Sequence, residues 1–261
     1  MLLIIAPAKM LDESPVKPPH GISTPVFQQA SDEVVARLRT YSAARLAELM
    51  AISPALARLN HARFRNWKEA PRKPAILLFN GHVYQTLAAP SLDRDDMRFA
   101  QRHLRILSGL YGLLRPLDMV APHRLEMGTH LPMGKDATDL YAYWGSRIGR
   151  ELHRTMRANR DTVLLNLASQ EYAKAIRPEE LPGRMITPLF KERTAKGLRT
   201  AAIHAKHQRG AMARWVIRHR LLDPGELKQY DADGYRFDPG ESTEDQWTFI
   251  RQGPHAGTGP R

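Results

Sequence analysis

Met1-Leu2-Leu3-Ile4-Ile5-Ala6-Pro7 opens the chain with an unbroken apolar run that ends at a proline. A surface strand alternates apolar and polar residues, whereas a continuous run of this length fits a strand covered on both faces, as in the middle of a parallel sheet. Similar runs recur at 75–79, 104–107, 163–167 and 185–190, each followed by polar or small residues and then a helical pattern. Strands alternating with helices predict an α/β (mixed α+β) fold with a central, partly parallel sheet. No fixed-period repeat and no long linker divides the chain, so a single domain is expected over 1–252. The Gly/Pro-rich 253–261 reads as a disordered tail.

The chain has 261 residues, 43% of them hydrophobic, enough to enclose a large core. Lys and Arg number 39 against 27 Asp and Glu, a formal charge of +12, which favours polyanionic partners. The absence of Cys excludes disulfides, thiolate metal sites and a Cys nucleophile within these residues. The opening apolar run is too short for a signal peptide, and no segment approaches the roughly 20 apolar residues of a membrane span. A cytoplasmic protein without membrane partners is the expectation, monomeric in the simplest reading.

Four helices are bounded by pattern. Residues 26–38 place Val34, Val35 and Leu38 on one face, and 95–103 begins with two carboxylates suited to a helix amino end. Residues 138–156, with Thr138 as N-cap, carry Leu140, Tyr141, Trp144, Ile148 and Leu152 at core spacing and Arg147, Arg150, Arg154 and Arg157 on the other face. Residues 206–222 offer Met212, Trp215, Val216 and Leu222 to the core. Lys206, Arg209, Arg214 and Arg218 are left for solvent or a phosphate-bearing partner.

A second basic block, with Arg45, Arg58 and Arg63, carries two short helical patterns around Ala51-Ile52-Ser53. Ser53 before Pro54 is a strong helix start, since the hydroxyl caps free N–H groups and proline fits the first turn. Two short helices about a tight break resemble a helix-hairpin-helix, which offers backbone N–H groups to DNA phosphates without reading sequence. The break lacks the usual glycine, and an ordinary αα-hairpin packed on the core fits the same residues.

Polar residues follow the expected strands: Lys9, Asn80, Ser108 with Gly109 and Tyr111, Asn166, and Ser169, joined by Arg115. In an open parallel sheet such positions share the carboxyl edge where ligands bind, so the set is a candidate small-ligand pocket. The 108–116 segment matches neither a Walker A nor a G-x-G-x-x-G pattern, and a turn needing glycine accounts for it equally well. His123, Arg124 and Glu126 form a cluster capable of acid–base work or of a plain ion pair, the latter favoured. His204 and His207 have cationic neighbours and no carboxylate beside them, so neither a metal nor any other cofactor is expected. No G-x-S-x-G elbow or legible Ser/His/Asp set is present, which leaves catalysis without a motif.

Taken together, Ala6-Pro7-Ala8-Lys9, Leu107-Ser108-Gly109-Leu110-Tyr111-Gly112, Leu114-Arg115-Pro116-Leu117-Asp118, Arg124-Leu125-Glu126-Met127-Gly128, Asn166-Leu167-Ala168-Ser169 and Ala205-Lys206 with Arg209-Gly210 resemble the YaaA family of bacterial peroxide-stress proteins. The resemblance runs nearly end to end. It implies one domain of unusual topology, a positively charged cleft, a helix-hairpin-helix-like element and binding to duplex or distorted DNA. It also implies protection against hydrogen peroxide, with a role in limiting free intracellular iron. Carried onto this chain, the hairpin element falls at 43–64, and the cleft draws on Lys9, Arg105, Arg115, Arg124, Lys206 and Arg209. One departure matters: Phe79-Asn80-Gly81-His82-Val83-Tyr84 stands where the family often has Phe-Lys-Gly-Asp-Val-Tyr, which puts any catalytic role of that Lys and Asp in doubt.

Two functions are thus expected. The leading one is a DNA-binding stress protein gripping phosphates through Lys9, Arg45, Ser53, Arg58, Arg63, Arg105, Arg115, Arg124, Lys206, Arg209 and Arg214. The alternative is an enzyme acting on a nucleotide or other phosphorylated small molecule at the strand-end cluster. Direct iron storage is disfavoured by the cationic surface and the lack of a thiolate or carboxylate cluster.

Overall fold

A computed structural model describes residues 1–17 and 19–253. In chain order the elements are β1 (Leu2–Ile5), α1 (Gln28–Leu38), α2 (Ala43–Met50), α3 (Pro54–Arg65), β2 (Lys73–Pro74), α4 (Ala75–Leu78), α5 (His82–Leu87), α6 (Arg94–His103), β3 (Leu104–Ser108), β4 (Gly112–Leu114) and β5 (Met119–Val120). There follow α7 (Leu140–Asn159), β6 (Val163–Leu167), α8 (Gln170–Ala173), β7 (Arg184–Thr194), β8 (Gly197–Arg199), α9 (Ala202–His219), β9 (Arg236–Phe237) and β10 (Gln246–Gln252).

Eight of these strands form one sheet in the order β4-β3-β1-β6-β7-β10-β9, with β8 paired to β7. The inner pairs β1 with β3, β1 with β6, β6 with β7 and β7 with β10 are parallel, and β4, β8 and β9 add antiparallel edges. β1 lies between β3 and β6, with Leu3 opposite both Leu104 and Leu165. Leu2, Leu3, Ile4 and Ile5 are completely buried, as a doubly covered strand requires. One hydrophobic core extends from Met1 to Phe249, so the expected mixed α/β single domain is the observed one.

The 75–79 strand is not found. Its apolar residues form the single helical turn α4, preceded by the two-residue β2 that pairs with β5. Ala75 and Ile76 donate their N–H groups to Asp118 O and Pro116 O, at 2.9 and 3.0 Å, and these distant acceptors satisfy the start of the turn. The other helices shift by a few residues. α1 starts at Gln28; α7 is capped by Asp139, whose side chain accepts from Ala142 N–H at 2.7 Å, and not by Thr138. α9 begins at Ala202 and ends at His219, leaving Leu222 exposed instead of in the core. Of the tail expected at 253–261, Gly253 is buried and donates to Arg193 O at 3.0 Å; the remainder lies outside the described residues.

A cationic cavity at the carboxyl edge of the sheet

The chain leaves β1 towards β3 on one side, and β6 lies on the other. The strand order therefore reverses at β1, and ligands of open parallel sheets bind outside the strand ends at such a reversal. A cavity of about 390 Å³ opens there. Its walls are the segment after β1, the entry to α5, the 123–126 stretch, the segment after β6 and one face of α9.

Each wall is fixed by a specific contact. Tyr84 on α5 donates its hydroxyl to Ala6 O at 3.0 Å, tying α5 to the exit of β1. Glu171 Oε1 accepts the Gly128 N–H at 3.0 Å. Gly210 lets α9 approach α5 closely: a Cβ there would overlap the Val83 carbonyl oxygen and the Thr86 hydroxyl. Gly109 plays the same part beneath the 123–126 stretch, where a Cβ would lie 2.6 Å from Leu125 O.

Lys9, Arg124, Ser169, Lys206 and Arg209, all expected site residues, line the cavity together. Lys9 and Arg124 share Glu126, at 3.3 and 2.6 Å. Lys206 and Arg209, three residues apart on α9, have no carboxylate partner among the described residues. Burial lowers the pKa of Arg209, and no opposing charge offsets that desolvation. Burial raises the Tyr84 and Tyr172 phenols, so both remain protonated donors.

The remaining expected residues lie outside this lining. Ser108 Oγ accepts the N–H groups of Leu110 and Tyr111 at 3.3 and 3.1 Å, and the Tyr111 hydroxyl accepts from Ala121 N–H at 3.1 Å. Asn166 bonds Ala168 N–H and the Thr187 hydroxyl, both at 3.1 Å, and Asn80 follows a helical turn instead of a strand. Arg105 is buried against the main-chain carbonyls at the end of α6, with its pKa pushed down to about 10 by burial and by Arg115. Arg115 is bound to Asp118 and to Thr24 O. Arg214 donates to Leu87 O and Ala88 O, and Arg218 reaches the buried Asp96 at 3.5 Å. Arg45 pairs with Glu48, Arg63 with Glu13, and Arg58 is exposed on α3. Ser53 caps α3 as expected, accepting from Leu56 N–H at 3.3 Å.

Polar lining residues outside the expected binding set include His82, Tyr84, Glu171 and Tyr172, and the lining also takes in His123 and Glu126, expected only as a cluster with Arg124. Glu171 is legible as the end of the polar stretch Ser169-Gln170-Glu171 that follows a strand, although only Ser169 of that stretch was an expected site residue. His82, at the point of departure from the family pattern, lies 3.1 Å from His207 on α9, a pairing that no local spacing reveals. Among the described residues no group of three or more His, Asp or Glu side chains could hold a metal, and no helix is long and apolar enough to cross a membrane.

The fold and cavity thus define an α/β protein with an anion-attracting recess at the reversal point of its parallel sheet. The chain belongs to the family described as peroxide stress protein YaaA, whose model matches residues 1–241. It is 44% identical over 258 residues to a UPF0246 protein of Ralstonia pickettii (strain 12J) and 45% identical over 262 residues to one of Azoarcus sp. (strain BH72). Each match covers 97% of this chain and 99% of the relative. Membership supports a role in oxidative stress.

Proposed function

We propose that this chain is a cytoplasmic DNA-binding protein of the peroxide response, gripping the phosphates of duplex or distorted DNA around the α9 cavity. The observation that carries the reading is the pair Lys206 and Arg209, two cations on one helix face with no carboxylate partner among the described residues. The α2–α3 hairpin supports it, presenting Arg58 on the exposed face of α3 and joined to the cavity through Asn60 and Arg124. Phosphate contacts of this kind position the protein without reading bases.

Titration of labelled duplex and bubble DNA across salt tests the reading. Each phosphate neutralised on duplex contributes roughly 0.9 to the slope of log K against log salt, so a steep slope is expected. Lys206→Ala and Arg209→Ala weaken all sequences alike and lower the slope. A flat slope, or weak binding at low salt, refutes it. The same reading includes a restraint on free intracellular iron; an unchanged chelatable iron pool in peroxide-treated cells lacking the protein refutes that part.

A further inference from the structure

Two features of the cavity exceed what a grip on duplex phosphates needs. The first is His123. Its Nδ1 lies 2.8 Å from Ala121 O, a bond that only an Nδ1–H can make, so in the neutral ring the lone pair is on Nε2. The ring is set edge-on to Trp67, Phe79 and Tyr111. Burial, with Arg63 and Arg124 nearby, pushes its pKa down to about 4, and the imidazole stays a neutral acceptor at physiological pH. His123, though 4% exposed, borders the cavity, and Nε2 has no hydrogen-bond partner among the described residues.

The second feature is that uncompensated cations and uncharged polar groups line the same cavity. Arg209 is desolvated without a counter-charge, a costly arrangement that a bound anion relieves. Ser169, with no side-chain bond to the helix it precedes, and Glu171 stand on the segment after β6. Leu125, Leu167 and Pro7 supply an apolar surface. The volume of about 390 Å³ lies within the range of small-molecule sites, roughly 300–1,000 Å³.

We propose that the cavity binds a sugar phosphate, with its phosphate monoester between Arg209 and Lys206, one hydroxyl donating to His123 Nε2 and another bonded to Ser169 Oγ. This occupant is a free small molecule, so the inference does not rest on DNA binding.

Calorimetric titration of the full chain with ribose 5-phosphate and with inorganic phosphate, at low salt, tests it. One ribose 5-phosphate per chain is expected, bound at least tenfold tighter than inorganic phosphate. Arg209→Gln weakens both about tenfold or more. His123→Gln removes the advantage of the sugar and leaves inorganic phosphate unchanged; if that variant does not fold, Ser169→Ala gives a severalfold loss for ribose 5-phosphate alone. Absence of binding, equal affinity for the two probes, or an unaffected Arg209→Gln overturns the inference. Duplex titrations on the same samples separate the two readings. Duplex bound without ribose 5-phosphate defeats this inference alone, and the converse defeats the DNA reading alone.

Discussion

Asn60, buried at the centre of α3, accepts the backbone N–H of Arg124 at 2.9 Å through Oδ1 and donates from Nδ2 to Leu56 O at 2.9 Å. One side chain therefore fixes the hairpin helix and the cavity wall to each other. Asn60→Leu keeps the branched skeleton, with somewhat larger end groups, and leaves the Arg124 N–H without its acceptor. A loss of about 1–3 kcal/mol is expected in urea unfolding, the cost of an unsatisfied buried donor. An unchanged urea midpoint would show that the Arg124 contact is not the important one.

How much of this was legible can be judged strand by strand. The burial of β1 was readable because it is a continuous apolar run, and that of β3 and β6 because each is predominantly apolar, interrupted only by Arg105 and Ser108 in β3 and by Asn166 in β6; their parallel pairing follows from the helices between them. The 75–79 run misleads because four or five apolar residues fit a buried helical turn as well as a strand. What decided it was the Pro116 and Asp118 carbonyls, some forty residues away. Lys9, Arg124, Lys206 and Arg209 were legible by charge. Arg105 and Arg115 looked equivalent to them, but their carbonyl and carboxylate partners are set by tertiary contacts with α6 and Asp118. His123 was visible only as part of a cluster, since its fixed tautomer depends on Ala121 and its neutrality on the aromatic rings around it.

The neutral His123 gives stability a defined pH dependence. Its folded pKa, about 4, lies below the ordinary value of 6.5, so between these limits the unfolded chain holds a proton that the folded chain does not. Stability is therefore fully present above pH 6.5 and falls on acidification, at up to about 1.4 kcal/mol per pH unit. His103, lowered chiefly by burial, acts in the same direction. Urea midpoints between pH 7 and 4.5 are expected to fall, and His123→Gln to reduce the slope without abolishing it. A slope unchanged in that variant would mean that His123 does not titrate as described.

Gly210 sits where α9 crosses α5, with the Thr86 hydroxyl donating to His207 O at 2.8 Å beside it. Gly210→Ala places a methyl group against the Val83 carbonyl, and the helices must separate. A cost of about 1–3 kcal/mol is expected from overpacking. Because the same crossing brings His82, Lys206 and Arg209 to the cavity, anion binding is expected to weaken with stability. A variant as stable as the parent would place the helix contact elsewhere.

Arg115 separates structural from binding cations. Its guanidinium lies 3.0 Å from Asp118, whose carboxylate is fully buried and also accepts from the Ser23 hydroxyl at 2.6 Å. Removing one partner of a buried pair costs about 3–5 kcal/mol, and the partial exposure of Arg115 lowers the expectation for Arg115→Ala to about 1–3 kcal/mol. The salt slope of DNA binding is expected to stay at the parent value. A lower slope would return Arg115 to the phosphate-binding surface.

Glu126 holds back two cations that the cavity would otherwise offer. Its Oε1 pairs with Arg124 at 2.6 Å and with the largely exposed Lys9 at 3.3 Å. An exposed pair such as the second adds little stability, typically under about 1 kcal/mol, so its removal acts mainly on the electrostatic potential. Glu126→Gln keeps the shape and an acceptor oxygen and releases one negative charge beneath Lys9 and Arg124. Tighter DNA binding at low salt is expected, with the slope of log K against log salt steepened by up to about 0.9 for each cation that then reaches a phosphate. Glu126→Lys should exaggerate both effects. Weaker binding by Glu126→Gln at unchanged stability would show instead that the carboxylate itself touches the ligand, as a hydroxyl-bearing occupant of the cavity would require.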